Sequence, residues 1–242
     1  MKVDKYKLSL QVLEYLSVQK GAYVLRQNII SEPSSGIGNL ERHFNITLSP
    51  EKKSLLDLVL RELQQRGLII PVFKDIMNSG NDLIITDKGR RALKKRVLDE
   101  LDELLLALHS DSDLIVMRYG AYDAILDRQN DWQRQAASSL VELIDHTLRT
   151  IAPNDKVTSQ DWYSPEKNSK SGIIRKHRIR YFLEGKNGTR TKTTEEVVNK
   201  AWELIESCRS KLEGIKHVTD DQNEVEQLIK LVEDALMFLL KR

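Results

Sequence analysis

The chain has little of several features that would narrow its function at once. Cys208 is the single cysteine among 242 residues, which excludes an intramolecular disulfide and a cysteine-built zinc site and leads one to expect a reducing, cytoplasmic setting. Eleven glycines and five prolines are too few for a fold of many tight turns such as a β-sandwich. No apolar run approaches the roughly 20 residues of a membrane-spanning helix, and nothing at the N-terminus resembles a signal peptide, so no membrane partner is expected. The five histidines, at 43, 109, 146, 177 and 217, lack metal-ligand spacing. No Asp-x-Asp, Glu-x-Lys or His-Glu-x-x-His pattern stands in a convincing strand or helix context, the nearest, Asp111-x-Asp113, reading better as a helix cap, and no phosphate-binding glycine loop is present, so no metal and no cofactor are expected. A strong net charge is lacking as well. The formal +2, taken alone, argues against a polyanion partner.

That average conceals blocks. Residues 1–96 carry 17 Lys and Arg against 10 Asp and Glu, and residues 97–152 carry 4 against 11. Residues 153–192 return to 10 against 4, and residues 193–242 carry 7 against 11. Two basic zones on acidic supports suit contact with nucleic acid at two surfaces, although helical proteins carry patchy charge for other reasons too.

In the first basic zone, Leu8, Val12, Leu13, Leu16 and Val18 recur at mostly helical spacing and predict a helix over 5–20 that ends at Gly21. Pro33-Ser34-Ser35-Gly36 is a break, and Ile37, Leu40, Glu41 and Phe44 suggest a short second helix. Ser49-Pro50-Glu51 combines a capping hydroxyl, a proline at the first helical position and an acid in the first turn. The third helix starts there, continues through Leu55, Leu56, Val59, Leu60 and Leu63, and stops at Gly67. Two strand-like runs, 68–73 and 83–86, flank the turn-rich 77–82. Three helices, a hairpin and a basic helix start at 87–91 resemble the winged helix-turn-helix domains of bacterial regulators. The resemblance implies DNA binding, with Lys52, Lys53, Arg61 and Gln64 on the groove helix, Lys74 beside the wing, and Arg90 and Arg91 on phosphates. Winged helices also serve as protein-docking modules, and the third helix is apolar over much of its surface.

A connecting helix over 97–112, with Asp99, Glu100, Asp102 and Glu103 on its wet side, leads to an α-helical domain over 113–242. Trp132, Ala136, Leu140, Leu143, Ile144, Leu148 and Ile151 mark one face of a helix closed by Pro153. Residues 154–172 read as an exposed loop, Ile173–Leu183 as a short basic helix, Gly185–Gly188 as a turn, and 194–214 and 223–240 as long helices. The fold class is therefore mainly α, a winged helix followed by a helical bundle. Arg134-Gln135-Ala136, Ser139-Leu140-Val141-Glu142-Leu143 and Ile151-Ala152-Pro153, then Arg175–Leu183 and His217, resemble the predicted PIWI-associated nuclease domain of prokaryotic defence loci. The resemblance covers about residues 118–240. It implies a defence setting more directly than a chemistry, and with it an effector protein of the same system as a partner.

Cleavage of RNA without metal needs a histidine to move protons and an arginine to hold the phosphate. His217 with Arg209, Arg178 or Arg180 is the candidate set. Seven residues separate Arg209 from His217, about 12 Å along a helix, which is longer than the Arg–His spacing of helical HEPN ribonucleases. A lone histidine at a helix end also serves as a C-terminal cap. Arg175, Lys176, His177 and Tyr181 complete the densest cationic run, with Ile174, Ile179 and Phe182 expected to pack inward while Lys176, His177 and Arg180 face out towards a phosphate backbone, DNA or RNA. Arg134 and Glu142 are either a buried ion pair or site residues. The alternative to a defence nuclease is a non-catalytic winged-helix regulator working as a homodimer, or an adaptor docked on a larger protein.

Overall fold

Leucines at helical spacing build the first of two units, Met1–Glu100 and Leu101–Arg242. A computed structural model describes residues 5–19, 24–32, 35–72, 82–108, 113–127, 131–167, 169–187, 192–218 and 222–241. Among them no helix is long and apolar enough to cross a membrane. The protein is mainly helical, with one small sheet.

In the first unit α1 (Lys5–Val18) buries Leu8, Val12, Leu13 and Leu16, whereas Val18 is half exposed. A two-residue strand, β1 (Val24–Leu25), and two short helices, α2 (Arg26–Ile30) and α3 (Asn39–Phe44), precede α4 (Pro50–Gln65). Ser49 caps α4 as its sequence foretells, its hydroxyl accepting from the Lys52 N–H at 3.4 Å with Pro50 in the first turn. Leu55, Leu56, Val59, Leu60 and Leu63 are all buried. Gly67 (φ +68°) turns the chain out of the helix, a left-handed conformation that favours glycine. The strands β2 (Ile69–Val72) and β3 (Asp82–Ile85) pair antiparallel, Ile69 opposite Ile85, and β1 adds to the far side of β3 to give the order β1-β3-β2. Sequence pattern alone misses β1, because two residues carry no periodicity. Thr86 caps α5 (Asp87–Lys95) by accepting from the Gly89 N–H at 2.9 Å. Gly89 lies so close to β2 that a Cβ would fall 2.1 Å from the Leu68 carbonyl oxygen.

A buried carboxylate sets the turn between α3 and α4. Glu41, 3% exposed, accepts from the Gly38 N–H at 2.8 Å and the Leu48 N–H at 2.7 Å, and pairs with Lys53 Nζ at 3.0 Å. Burial alone would raise its pKa; the two amides and the Lys53 ammonium outweigh burial and hold it below the ordinary carboxylate range.

In the second unit α6 (Glu100–Leu108) and α7 (Asp113–Asp127) lead into α8 (Trp132–Ile151), which packs against α7 and, further along the chain, against α10 (Arg175–Asn187), α11 (Lys192–Val218) and α12 (Gln222–Leu240). The short α9 (Asn154–Thr158) follows α8 directly. The apolar face read from the sequence is the reason for α8's central place: Ala136, Leu140, Leu143, Ile144, Leu148 and Ile151 are buried, and Trp132 is half-buried. Gly120 on α7 admits α8 closely, since a Cβ there would lie 3.3 Å from the Ser139 hydroxyl.

Three expectations are corrected. Asp102 is fully buried instead of wet: it accepts from Arg118 Nη1 at 2.5 Å and from the Tyr119 hydroxyl at 3.1 Å. Arg118 Nε reaches Glu233 at 2.7 Å, so one buried guanidinium joins α6, α7 and α12. α10 runs on through Gly185 to Asn187 where a turn is expected, while Gly188 lies outside the described residues. α11 continues through Gly214 to Val218.

Glu41→Gln keeps the shape and removes the charge at the α3–α4 turn, and a loss of about 1–3 kcal/mol is expected. Because the folded pKa is depressed, the carboxylate's contribution is complete above the ordinary carboxylate range and disappears as pH falls through the lower folded value. Thermal melts of the two full chains therefore differ most near pH 7 and converge on acidification; equal melts at pH 7 would refute this role.

Candidate nucleic-acid site

An open cleft of about 800 Å³ lies in the second unit, between the end of α8, the segment around 166–174, the start of α10, and α11. Three arginines line it, each held differently. Arg175 forks onto Asp145 at 2.6 and 2.9 Å and reaches Glu206 at 3.4 Å, joining α8, α10 and α11. Burial would lower its pKa, but the two carboxylates outweigh this and raise it. Arg178, 8% exposed, donates through Nη1 to the Ala152 carbonyl and through Nη2 to Asn154 Oδ1 at 2.6 Å. Both acceptors are neutral. Burial, then the nearby Arg149, pull its pKa below the ordinary arginine value, partly offset by Asp145. Arg149, in the last turn of α8, is exposed and forms no ion pair among the described residues.

The segment expected to be an exposed loop is anchored. It opens with α9, and Trp162 and Tyr163 are half-buried against α10. Arg180 lies over the Trp162 ring at 4.3 Å from its centroid, and its Nε bonds Glu184 at 2.8 Å. His177 meets Tyr163 edge-on at 5.4 Å and Trp162 at 6.1 Å, with its Nδ1 accepting from the Ile174 N–H at 3.4 Å. Burial lowers the His177 pKa; Glu166 raises it, and Arg180 and Lys176 lower it further. So the outward face expected for His177 and Arg180 is instead covered by aromatic rings. Gly172 (φ +68°) reverses the chain, with Glu166 N–H bonding its carbonyl at 2.9 Å.

The other sequence candidates are spread over both units. Lys53 is committed to Glu41 and also donates to the Gly36 carbonyl at 2.5 Å. Arg61 pairs with Asp57 at 2.6 Å, as does Arg26. Lys52 and Gln64 are half-buried on α4; Arg90 donates to the Ser17 carbonyl at 3.4 Å, and Arg91 is exposed. Lys74 lies outside the described residues. In the second unit Arg209 pairs loosely with Glu213 at 3.8 Å. His217 stands on α11 eight positions further on, and its side chain is outside those described. Lys176 and Tyr181 are half-buried on α10. Arg134 and Glu142 are both exposed on α8 and form no ion pair among the described residues, which removes the buried-pair reading. Of the candidate arginines the cleft gathers Arg175 and Arg178, but neither Arg180 nor Arg209. No group of three His, Cys, Asp or Glu among the described residues is placed to hold a metal ion.

Sequence reasoning misses Arg149, Asn154 and Trp202, which also line the cleft. Arg149 stands in an acidic segment, and its only signal is a cation at a helix end, where dipole compensation explains it equally well. Arg178→Lys replaces a planar fork by a point charge, and a cost of about 1–3 kcal/mol is expected from the lost carbonyl and amide bonds. Arg149→Ala removes an exposed side chain, and its change should stay within about 0.5 kcal/mol. Urea denaturation of the full chain checks both; an unaffected Arg178→Lys chain would contradict the clamp.

Comparison with known proteins bears on the second unit. No curated protein and no solved structure matches the chain. A family model described as predicted pPIWI-associating nuclease matches residues 106–239, from within α6 to the end of α12. That span holds the whole cleft and takes in more than half of the sequence, so the chain belongs to the family of predicted pPIWI-associating nucleases.

Proposed function

We propose that this protein is a nucleic-acid-binding nuclease of a prokaryotic defence system. One observation carries the reading: the family match falls on the unit in which Arg149 and Arg178 line a cleft and form no carboxylate ion pair among the described residues. A strand phosphate resting on these two cations holds the RNA in place while the chain is cut further along α11. In the metal-independent route on RNA, His217, eleven positions beyond the cleft's Glu206 and so about 16 Å further along the helix, takes the proton of the attacking 2′-hydroxyl. The 2′-oxygen bonds to phosphorus, the P–O5′ bond breaks, and a proton returns to the leaving 5′-oxygen, giving a 2′,3′-cyclic phosphate. Arg180 and Arg209, engaged with Glu184 and Glu213, position α10 and α11 in this reading. Purified protein in EDTA is expected to degrade single-stranded RNA, with His217→Ala and Arg149→Ala each slowing cleavage about 100-fold or more. Intact RNA and DNA in every buffer would sink the proposal.

The first unit fits a winged helix-turn-helix on its element order. A helix, a strand, the short α2, a helix–turn–helix built from α3 and α4, and an antiparallel strand pair joined to β1 follow one another. In that reading α4 enters the major groove with Lys52, Arg61 and Gln64, and Arg90 and Arg91 meet phosphates. Anisotropy titrations with duplex DNA should show affinity falling with salt, and Arg90→Ala/Arg91→Ala should lower the log–log slope by about 0.9 per lost phosphate contact. Lys53 is unsuitable for this test because it holds the Glu41 turn.

A second reading has its own support. Glu41 and Asp57 already match the charges of Lys53 and Arg61, which favours α4 as a docking surface for an effector protein or a second copy of this chain. DNA binding that is absent at low salt would select it.

A further inference from the structure

The cleft carries an imbalance that its own residues leave unresolved. Arg175 is matched twice over, by Asp145 and Glu206. Arg178 is nine-tenths buried, and its recorded bonds go to a carbonyl and an amide oxygen, with no carboxylate in ion-pair range among the described residues. Arg149 beside it is likewise without a counter-charge there. Two neighbouring cations, one largely out of water, are costly unless an anion joins them. Arg178 also engages the Oδ1 of Asn154, which leaves the amide's N–H side with no recorded partner, a donor of the right kind for a phosphate oxygen.

The rest of the lining is mixed: Glu166, Ser169 and Ser171 are polar, whereas Trp202 on α11 is half-buried and Leu148, Ile173 and Ile174 supply apolar wall. Inorganic phosphate would use the cationic end and leave the indole bare. An acidic peptide side chain would do the same. A ligand that uses both ends has a phosphate and a flat aromatic face, and about 800 Å³ is room enough for it.

We propose that this cleft is a nucleotide pocket, with a phosphate seated on Arg149, Arg178 and the Asn154 amide and its base against Trp202. The inference deepens the nuclease reading and rests on the same cleft. A base inside a duplex is stacked on both sides, so the pocket accepts an unpaired or terminal nucleotide, or a free one, and rejects the interior of a duplex.

Isothermal titration of the full chain with AMP, inorganic phosphate, adenosine and the dinucleotide ApA tests this. AMP is expected to bind about tenfold or more tightly than either phosphate or adenosine. Arg149→Ala and Trp202→Ala should each weaken AMP about tenfold, while Trp202→Phe, which keeps a stacking face, stays within about threefold of the parent. ApA tighter than AMP assigns the pocket to a strand, and AMP tighter than ApA assigns it to a free or terminal nucleotide; both support it. AMP no tighter than inorganic phosphate overturns it, as does an unchanged affinity in the Arg149→Ala and Trp202→Ala chains. Should Trp202→Ala fail to fold, Arg149→Ala and Trp202→Phe decide. RNA cleavage without AMP binding overturns the pocket and leaves the nuclease reading standing. AMP binding with RNA and DNA intact in every buffer does the reverse.

Discussion

A guanidinium removed from water must be satisfied by whatever the fold brings to it, and the second unit rests on three answers to that constraint. Arg118 meets two carboxylates, Asp102 and Glu233, and so joins α6, α7 and α12. Arg175 meets Asp145 and Glu206 and joins α8, α10 and α11. Each of these charges is closed within the protein. Removing one member of such a set leaves a buried charge alone, at a cost of several kcal/mol, about 3–5 where measured elsewhere. Arg178 differs. It fastens α10 to the end of α8 through the Ala152 carbonyl and the Asn154 amide oxygen, so its hydrogen bonds are met while its charge is not.

This difference separates structure from function among residues of one type. The closed arginines hold helices and have little left to offer a ligand. Arg178 holds helices too, but neutral acceptors fix its geometry without neutralising it. With Arg149 beside it the cleft has two neighbouring cations that form no carboxylate ion pair among the described residues. The ring packing of Trp162 and Tyr163 on His177 and Arg180 anchors the segment that borders the cleft, so the wall formed by residues 166–174 is set by the same helix that carries Arg178.

How much of this can be read before folding depends on range. Ser49-Pro50-Glu51 and Gly67 announce the ends of α4 correctly, because a cap and a left-handed turn are settled within a few residues. The apolar face of α8 is legible for the same reason, and the motifs along it point to the family that the match over 106–239 establishes. Asp102 is misread as wet: its helix looks amphipathic, and its partner Arg118 stands sixteen residues away on another helix. Trp162 is misread as exposed because its cover, Arg180 and His177, lies across a chain reversal at Gly172. β1 leaves no pattern at all, since its pairing with β3 spans nearly sixty residues.

By itself, the sequence determined the helical class, the ends of α4, the alternating charge blocks and the family of the second unit. All of these reside in local spacing, capping chemistry or short motifs along one helix. Tertiary structure alone decided which cations are spent and which remain. A run of arginines reads as one basic patch until packing brings Asp145 and Glu206 to Arg175, and carbonyl and amide oxygens to Arg178. Charge compensation acts over a few ångströms in space, and residues that far apart in the fold lie 30 positions apart in the chain for Arg175 and Asp145, and 115 for Arg118 and Glu233.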